Sequence, residues 1–420
     1  MASKLKLAAW AGAIILGATG AVQAQAPSGY EKEPVLIATD LAAPEMLKGP
    51  HFTVDSKVPV KGFIARFTIR SLFGKFEAHG FRMLPIRVNE MEALAKLDQV
   101  SRSREFASAM GRAAVRPVTA AASMITRPVE TVTGLPDGVG RLFSRIGLAG
   151  RRIAQAAVAP GQGAGERASE VTRRVGSTAI TALGFEEERR RLAERLGVDP
   201  YTTNPVLSER LTNVAWVSFS GRAGITVLTA LLVPYSEIMT AVSATNRAVW
   251  DVPAADLFNN ARSVFGRTGA SPEQVQALAE NPQFPLSVLH ALATGLERLQ
   301  GVVGRDAMVV FAAAAQTQDE VNFVASAVNM LARYHEVVAP LVRVSAPGPI
   351  LGHTATGAVV LAAPVDYVSW IAPLGQDVGR PELQAPQKIA LVSGQVSRLA
   401  WKNLTARGWT INEAFIMAER

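Results

Sequence analysis

Residues 317–338 read TQDEVNFVASAVNMLARYHEVV and predict a helix with its own N-terminal cap. Thr317 and Glu320 have the spacing of a capping box, in which each side chain satisfies a backbone N–H at the start of a helix. Behind the box, one residue in every three or four lies on a single stripe: Val321, Val324, Val328, Leu331, His335 and Val338. This period is typical of an amphipathic helix that packs against a core.

The sequence before this stretch repeats the same pattern. Ser271, Pro272 and Gln274 form a second capping box with proline at the first helical position. Between Pro285 and Gln300, leucines recur at helical spacing: Leu289, Leu292, Leu296 and Leu299. Antiparallel helices joined by short loops form bundles, so the sequence predicts a helical bundle over residues 201–345.

Further towards the N-terminus, residues 27–100 have strand periodicity. Phe63, Ala65, Phe67 and Ile69 alternate with Ile64, Arg66, Thr68 and Arg70, the period of a half-buried strand. Residues 81–88 predict another strand, which Pro85 would restrict to an edge. Asn89 is the predicted N-cap of one following helix. The sequence therefore predicts a small antiparallel β-rich region with one helix.

At the other end, residues 346–420 predict a small α/β unit. Strand 388–392, helix 397–406 and strand 409–413 follow in the order of a βαβ unit. Together, the segments predict an α+β fold that is predominantly α-helical: a helical bundle with a small N-terminal antiparallel β region and a small C-terminal α/β unit.

Between the β-rich region and the bundle lies a basic, arginine-rich region, residues 101–200, predicted to be helical with a linker near 159–165. Residues 102–195 hold 16 Arg, no Lys and 9 acidic residues, so they carry +7 of the chain's net charge of +8. Glu186 and Glu187 precede Arg190 and Arg191 by four positions, the favourable order for ion pairs along a helix. This run predicts a solvated, self-paired helix.

One segment of the basic region, residues 138–158, predicts an amphipathic helix. Arg141, Arg145 and Arg152 fall on one side at about 100° per residue, and Phe143 and Ile146 fall on the other. Such a helix could lie on an anionic membrane surface with its apolar side inserted. It could equally be an ordinary surface helix whose apolar side faces the core.

The first 26 residues predict a secretory signal peptide. Lys4 and Lys6 precede an apolar run over residues 7–22, and Ala24 or Ala26 follows as the cleavage point. We therefore expect export to the periplasm or outside the cell, with membrane association possible through the basic region. The chain has no cysteine, which excludes disulfides, thiolate metal sites and cysteine nucleophiles.

No phosphate-binding loop, zinc-protease motif or nucleophile elbow occurs in the sequence. The five histidines include no pair at ligand spacing within one element, so we expect no metal site, no cofactor and no catalytic residue that the sequence alone can identify. Export and a scarcity of aromatic side chains in the basic region argue against nucleic acid as a partner.

A site assembled from distant residues is the alternative to a purely structural role. Asp199, Tyr201, His335 and Ser397 are its candidates, as an acid, a pocket hydroxyl, a buried base and a helix N-terminus that could bind an anion. Each also has a local structural explanation: an Asx turn for Asp199, core packing for His335 and an N-cap for Ser397.

Three functions are compatible with these observations. The first is a non-enzymatic exported protein that binds an anionic membrane surface or an acidic envelope partner through its basic region. The second is a periplasmic hydrolase or small-ligand-binding protein with a site between the bundle and the C-terminal unit. The third is a structural module whose bundle pairs with another protein through an exposed apolar patch.

We expect sedimentation with anionic liposomes to depend on the three arginines of the amphipathic segment. Changing Arg141, Arg145 and Arg152 together to Gln removes the charges that attract acidic head groups, so co-sedimentation should fall towards the level seen with neutral liposomes. Binding that ignores lipid charge, or that survives the triple change, would contradict the membrane hypothesis.

Overall fold

The structure is a computed structural model that describes residues 29–102, 175–219 and 247–415, with backbone only for 175–183. These residues form 12 helices and three sheets of five, five and two strands, about 50% helix and 19% strand. Their buried apolar side chains form two cores, one around the N-terminal sheet and one around the C-terminal sheet.

The N-terminal sheet has strand order β1-β3-β4-β2, with β5 also paired to β4. All of its pairings are antiparallel. Its strands are β1 (Val35–Ile37), β2 (Phe52–Val54), β3 (Lys57–Lys61), β4 (Ile64–Ser71) and β5 (Gly74–His79). A short helix, α1 (Pro44–Leu47), and a 3₁₀ turn (Ala38–Asp40) connect β1 to β2.

The side chains of the central strand β4 alternate between a buried face and a more exposed face. Ala65, Phe67 and Ile69 are buried on the core side, as the sequence predicts, and Arg66 and Thr68 face away from it. The alternate positions of a strand point to opposite faces of the sheet, so this pattern fixes which face is covered.

Helix α2 (Met83–Ser101) covers that face. The prediction of an edge strand over 81–88 is wrong, because the helix already begins at Met83 and Pro85 lies in its first turn, where no intrahelical N–H bond is lost. Asn89 is therefore not an N-cap: its Nδ2 donates to the carbonyl oxygen of Gly197, 2.7 Å away.

Three more helices complete the N-terminal core: α3 (Val175–Leu196), α4 (Pro205–Phe219) and α5 (Arg247–Asp251). Glu187 and Arg191 pair at 2.5 Å as predicted. The rest of that run is not solvated, because Arg189 and Arg190 are buried. Arg189 Nη2 donates to Ser208 Oγ at 3.0 Å, and Arg190 Nε donates to the carbonyl of Trp250 at 3.2 Å.

The second core contains five consecutive helices. They are α6 (Ala254–Gly266), α7 (Pro272–Ala279), α8 (Leu286–Arg298), α9 (Arg305–Ala313) and α10 (Gln318–Val337). Both predicted capping boxes are confirmed, at Ser271 with Gln274 and at Thr317 with Glu320. The predicted apolar stripe of α10 is also buried at Val321, Val324, Val328 and Leu331.

The C-terminal sheet, of strand order β12-β10-β8-β7-β6, packs against these helices. Its strands are β6 (Leu341–Ser345), β7 (Leu351–Thr354), β8 (Val359–Ala363), β10 (Lys388–Val392) and β12 (Trp409–Asn412). β10 is parallel to β12, and α12 (Arg398–Thr405) connects them, so the predicted βαβ unit is confirmed. The remaining elements are β9 (Tyr367–Val368), β11 (Gln395–Val396), α11 (Ala372–Asp377) and a 3₁₀ turn (Pro381–Leu383).

The predicted fold class is wrong. The chain is not a helical bundle with small β regions, since two five-stranded sheets organise the described residues. The helices of 201–345 do not share one core: α4 and α5 pack around the N-terminal sheet, whereas α7 to α10 pack with the C-terminal sheet. Helical periodicity reveals the buried face of a helix but not which element covers it.

The segment before β1 joins the C-terminal sheet region to the N-terminal one. Glu31 exchanges backbone and side-chain hydrogen bonds with Trp370, its N–H donating to the Trp370 carbonyl at 3.0 Å and its Oε1 accepting from the Trp370 N–H at 2.5 Å. Tyr30 stacks on the Trp370 ring at 6.3 Å and packs against Gly375, where a Cβ would lie 2.6 Å from the tyrosine ring.

We expect Gly394→Ala to lower the free energy of unfolding by about 1–3 kcal/mol, the usual cost of overpacking. An added Cβ at this position would overlap the backbone carbonyl of Asp366, which accepts from the N–H of Gln395. Urea denaturation measures the change. Gly266→Ala is the control, because its Cβ meets no atom within 4 Å. Equal stability of Gly394→Ala and the parent protein would contradict this packing.

Candidate functional site: a cleft between the two cores

A cleft of about 470 Å³ separates the two cores. The first half of α2 lines one wall and α10 lines the other. Three further segments complete the lining of the cleft: the connector between α3 and α4, the start of α8 and the loop after β8. Concave sites of this kind, formed where packed units meet, are where proteins usually bind small molecules.

Polar residues of α10 form a stripe along the cleft. Asn322, Ser326, Asn329 and Arg333 are spaced four, three and four residues apart, which places them on one face of the helix. The opposite face carries the apolar stripe that α10 buries in the second core. The same 3.6-residue period therefore produces both a core face and a cleft face.

Some of these polar groups hold the fold together. Asn329 Nδ2 donates to the carbonyls of Ala291 and Ala325 at 3.0 and 2.9 Å, which joins α8 to α10. Arg298 makes two hydrogen bonds to the Glu336 carboxylate, at 2.9 and 2.6 Å. These contacts give Asn329 and Arg298 structural roles in the wall.

Two arginines present their guanidinium groups to the cleft. Arg82, just before α2, donates to Ser326 Oγ across the cleft at 3.1 Å. Arg82 is exposed to solvent, but desolvation by the neighbouring protein lowers its pKa against the opposing effect of Asp366. Arg333 is half-buried and has no hydrogen bond or ion pair within the described ranges.

A charged cluster closes one part of the cleft. His79 Nδ1 lies 2.8 Å from Asp319 Oδ1, and Arg66 Nη1 donates to Asp319 Oδ2 at 2.7 Å. Burial of Asp319 acts to raise its pKa, but the hydrogen bond and charge of His79, together with Arg66, outweigh it and lower the pKa. Asp319 is therefore held ionised as the partner of two basic side chains.

The Asp319–His79 pair resembles the acid–base pair of a hydrolase, but its other contacts point to a structural role. The second ring nitrogen of His79, Nε2, faces Glu77 at 3.4 Å. Over the described part of the chain, His79 makes no hydrogen bond to a hydroxyl that could act as a nucleophile. Nucleophilic catalysis needs that contact.

Asp366, in the loop after β8, is a buried carboxylate that joins the two cores. Its two oxygens accept from the backbone N–H groups of Ala65 and Phe81, at 2.8 and 3.0 Å. Its side chain is 6% exposed, and burial raises its pKa to about 6. Because its two oxygens accept from both elements, Asp366 positions β4 and the start of α2.

Glu90 of α2 anchors the connector between α3 and α4. This carboxylate is 1% exposed and accepts from Arg87 at 3.0 and 2.7 Å, from Asn204 Nδ2 at 3.0 Å and from the Thr202 hydroxyl. A buried carboxylate needs this many donors to compensate its lost hydration. Asn204 also accepts from the N–H groups of Val206 and Leu207, so its side chain caps the start of α4.

The structure brings two of the predicted site residues to the cleft. Asp199 and Tyr201 line it, and Asp199 also makes the predicted Asx turn, with its Oδ1 accepting from the Tyr201 N–H at 2.7 Å. Burial raises the pKa of Asp199, and burial raises that of Tyr201 to about 12. The predicted membrane contacts lie outside the described residues: Arg141, Arg145, Arg152, Phe143 and Ile146.

The other two candidates do not line the cleft. His335 Nδ1 accepts from the N–H of Leu341 at 2.9 Å, so it fixes the turn from α10 into β6. Ser397 caps α12 by accepting from the N–H of Ala400 at 3.0 Å. It also donates to Glu31, so the chain's own carboxylate lies at the helix start that was the alternative candidate for binding an anion.

Sequence reasoning missed Arg82, Arg333, Asp319 and Asp366. The polar stripe of α10 was detectable, since it has the same period as the apolar stripe. Asp366 gave no local signal, because its partners are the backbone N–H groups of Ala65 and Phe81, 301 and 285 positions away in the sequence.

Among the residues with described positions, no cluster of three or more His, Cys, Asp or Glu side chains is arranged to hold a metal ion. Within the same ranges, no helix has both the length and the apolar character needed to cross a membrane.

We expect Asp366 to make the protein less stable as pH rises from about 4 to 6. Its folded pKa of about 6 lies above the ordinary 3.8, so the folded state holds a proton that the unfolded state has released. The unfolding free energy of the parent protein relative to Asp366→Asn should therefore fall across this window by on the order of 3 kcal/mol. Denaturation at several pH values measures it.

Asp319→Asn is the control, because the pH dependence of its effect on the unfolding free energy should have the opposite sign. Its folded pKa is lowered, so the stability that Asp319 contributes is present above 3.8 and is lost as pH falls below that value. The advantage of the parent protein over this variant should shrink on acidification. If the stability difference from the parent protein changed with pH in the same way for both variants, the raised pKa of Asp366 and the lowered pKa of Asp319 would both be contradicted.

Comparison with protein-family models, with curated proteins and with solved structures gives no match. The geometry of the cleft is therefore the basis for a functional conclusion.

Proposed function

We propose that the protein binds a small molecule with an anionic group in the cleft between its two cores. The observation that carries this proposal is Arg333, a half-buried guanidinium that lines the cleft and forms no ion pair with a described carboxylate, although its charge helps to lower the pKa of Glu336. Arginine offers a planar set of donors that matches carboxylate or phosphate oxygens.

Most other charged groups in the cleft already have partners. Arg87 pairs with Glu90, Arg298 pairs with Glu336, and Asp319 pairs with Arg66. A charge that is removed from water is normally compensated by a partner, so Arg333 stands out from its neighbours. An anionic ligand would supply the missing partner.

The dimensions and walls of the cleft agree with this proposal. A volume of about 470 Å³ falls within the range of small-molecule pockets. Apolar side chains from both cores line it beside the arginines, among them Met83, Ile86, Val288 and Phe323. Such a mixture suits an organic ligand whose anionic end is oriented by charge and whose remainder packs against apolar walls.

Binding without catalysis fits the geometry better than hydrolysis. His79 and Asp319, the strongest candidates for an acid–base pair, are tied to each other and to Arg66. Asp366 uses both carboxylate oxygens for backbone N–H groups. These charges hold the walls in place, which is the role expected of groups that support a binding site.

We also propose that the protein is exported and that its basic region contacts the envelope. The order of basic, apolar and small residues in positions 1–26 supports export. The concentration of arginine in 102–195 supports attraction to anionic lipid or to an acidic partner. A cleft that binds small molecules is compatible with such a location.

We expect isothermal titration calorimetry to detect binding of at least one of four probes: butanoate, hexanoate, octanoate or inorganic phosphate. Arg333→Gln should weaken that binding about tenfold or more, since tenfold corresponds to about 1.4 kcal/mol, the scale of one charge-assisted hydrogen bond. Arg82→Gln should weaken it as well.

Arg262→Gln is the matched control, because Arg262 is exposed on α6 and does not line the cleft. Its affinity should equal that of the parent protein. Absence of binding by all four probes, or equal affinity of the Arg333→Gln and Arg262→Gln variants, would contradict the proposed site.

A further inference from the structure

The cleft contains a second charged group without an opposite partner, the carboxyl group of Asp199. The hydrogen bond that Asp199 accepts comes from the backbone N–H of Tyr201, at 2.7 Å. No basic side chain of the described chain forms an ion pair with it. Asp199 is half-buried and lines the cleft.

The surroundings of Asp199 favour a cation. Glu90, a second carboxylate in the same wall, adds negative potential at Asp199, and burial and Glu90 both raise the pKa of Asp199. Arg189 acts on Asp199 in the opposite direction but without a hydrogen bond to it. A positive charge placed against Asp199 would stabilise its ionised form.

Two hydroxyl groups in the same part of the cleft wall have unused hydrogen-bonding capacity. Ser287 and Tyr201 are 3% and 5% exposed, and their buried hydroxyl oxygens meet no partner in standard hydrogen-bond geometry among the described residues. The Ser287 hydroxyl nevertheless interacts with the Asp199 carboxyl and lowers its pKa, in the manner of a weak hydrogen bond. An ammonium group has only donors and needs acceptors such as carboxylate and hydroxyl oxygens.

We infer that the ligand is a zwitterion, with a cationic amine against Asp199 and an anionic group against Arg333. This inference rests on the proposed function and adds the second recognition element. One unpaired cation and one unpaired carboxyl line the same cleft, with apolar side chains also in its walls. A ligand that carries both charges would compensate both groups at once, whereas a simple anion would leave Asp199 without a partner.

A series of unbranched ω-amino carboxylates, from 4-aminobutanoate to 8-aminooctanoate, tests the inference on the full-length protein. For each chain length, calorimetry compares the amino carboxylate with the simple carboxylate and the dicarboxylate. We expect at least one amino carboxylate to bind tenfold or more tightly than both counterparts. The preferred length would report the separation of the two charged groups.

Asp199→Asn should remove this preference and leave the affinity for the simple carboxylate unchanged. Asparagine keeps the oxygen that accepts from Tyr201, so the turn can be retained, and thermal unfolding checks that it is. Asp256→Asn, at an exposed position on α6, is the matched control and should keep the preference.

The outcomes separate the two proposals. If simple carboxylates bind in an Arg333-dependent manner but the amine adds nothing, the zwitterion inference is wrong and the proposed anion site stands. If Asp199→Asn keeps the preference for the amine, the inference is also wrong. If no carboxylate of any kind binds, the zwitterion inference is wrong, and if inorganic phosphate also fails to bind, the proposed anion site is wrong as well.

Discussion

The arrangement of the two cores depends on the Asp366 carboxylate. Its oxygens accept from the N–H groups of Ala65 in β4 and Phe81 just before α2, so one side chain of the C-terminal sheet region orients two elements of the N-terminal core. The backbone adds to this connection, because the N–H of Asp366 donates to the carbonyl of Phe63 at 3.0 Å. Burial opposes the ionised state of Asp366, and the backbone donors offset part of that cost.

The cleft exists because the two cores meet through polar contacts along part of their boundary. Arg66 and His79 from the N-terminal sheet contact Asp319 at the start of α10. Arg82 donates to Ser326, about two helical turns further along the same helix. Apolar side chains pack densely and leave little empty space, whereas polar groups that pair across the boundary between the cores leave space between them. The charges left without partners then determine which ligands the cleft can accept.

Local sequence signals were reliable where neighbours in the chain supply the partners. The capping boxes at Ser271 and Thr317 and the strand alternation at Phe67 are confirmed, since each depends on contacts within a few residues. The same reasoning failed at residues 81–88, where the apolar pattern and Pro85 are compatible with either a strand or the first turn of a helix. It also predicted solvation for Arg189 and Arg190, which are buried by α4 and α5, elements that lie later in the chain.

The sequence by itself determined the period of each helix and strand, the helix starts that carry their own caps, the absence of cysteine and the concentration of arginine in 102–195. Only the tertiary structure decided that two sheets divide the helices between two cores, that Ser397 meets the carboxylate of Glu31, and that Arg333 and Asp199 line one cleft. The physical reason is the range of the interactions. Periodicity and capping act over one helical turn, whereas a cleft is defined by side chains that are distant in sequence and that become neighbours only when the cores pack.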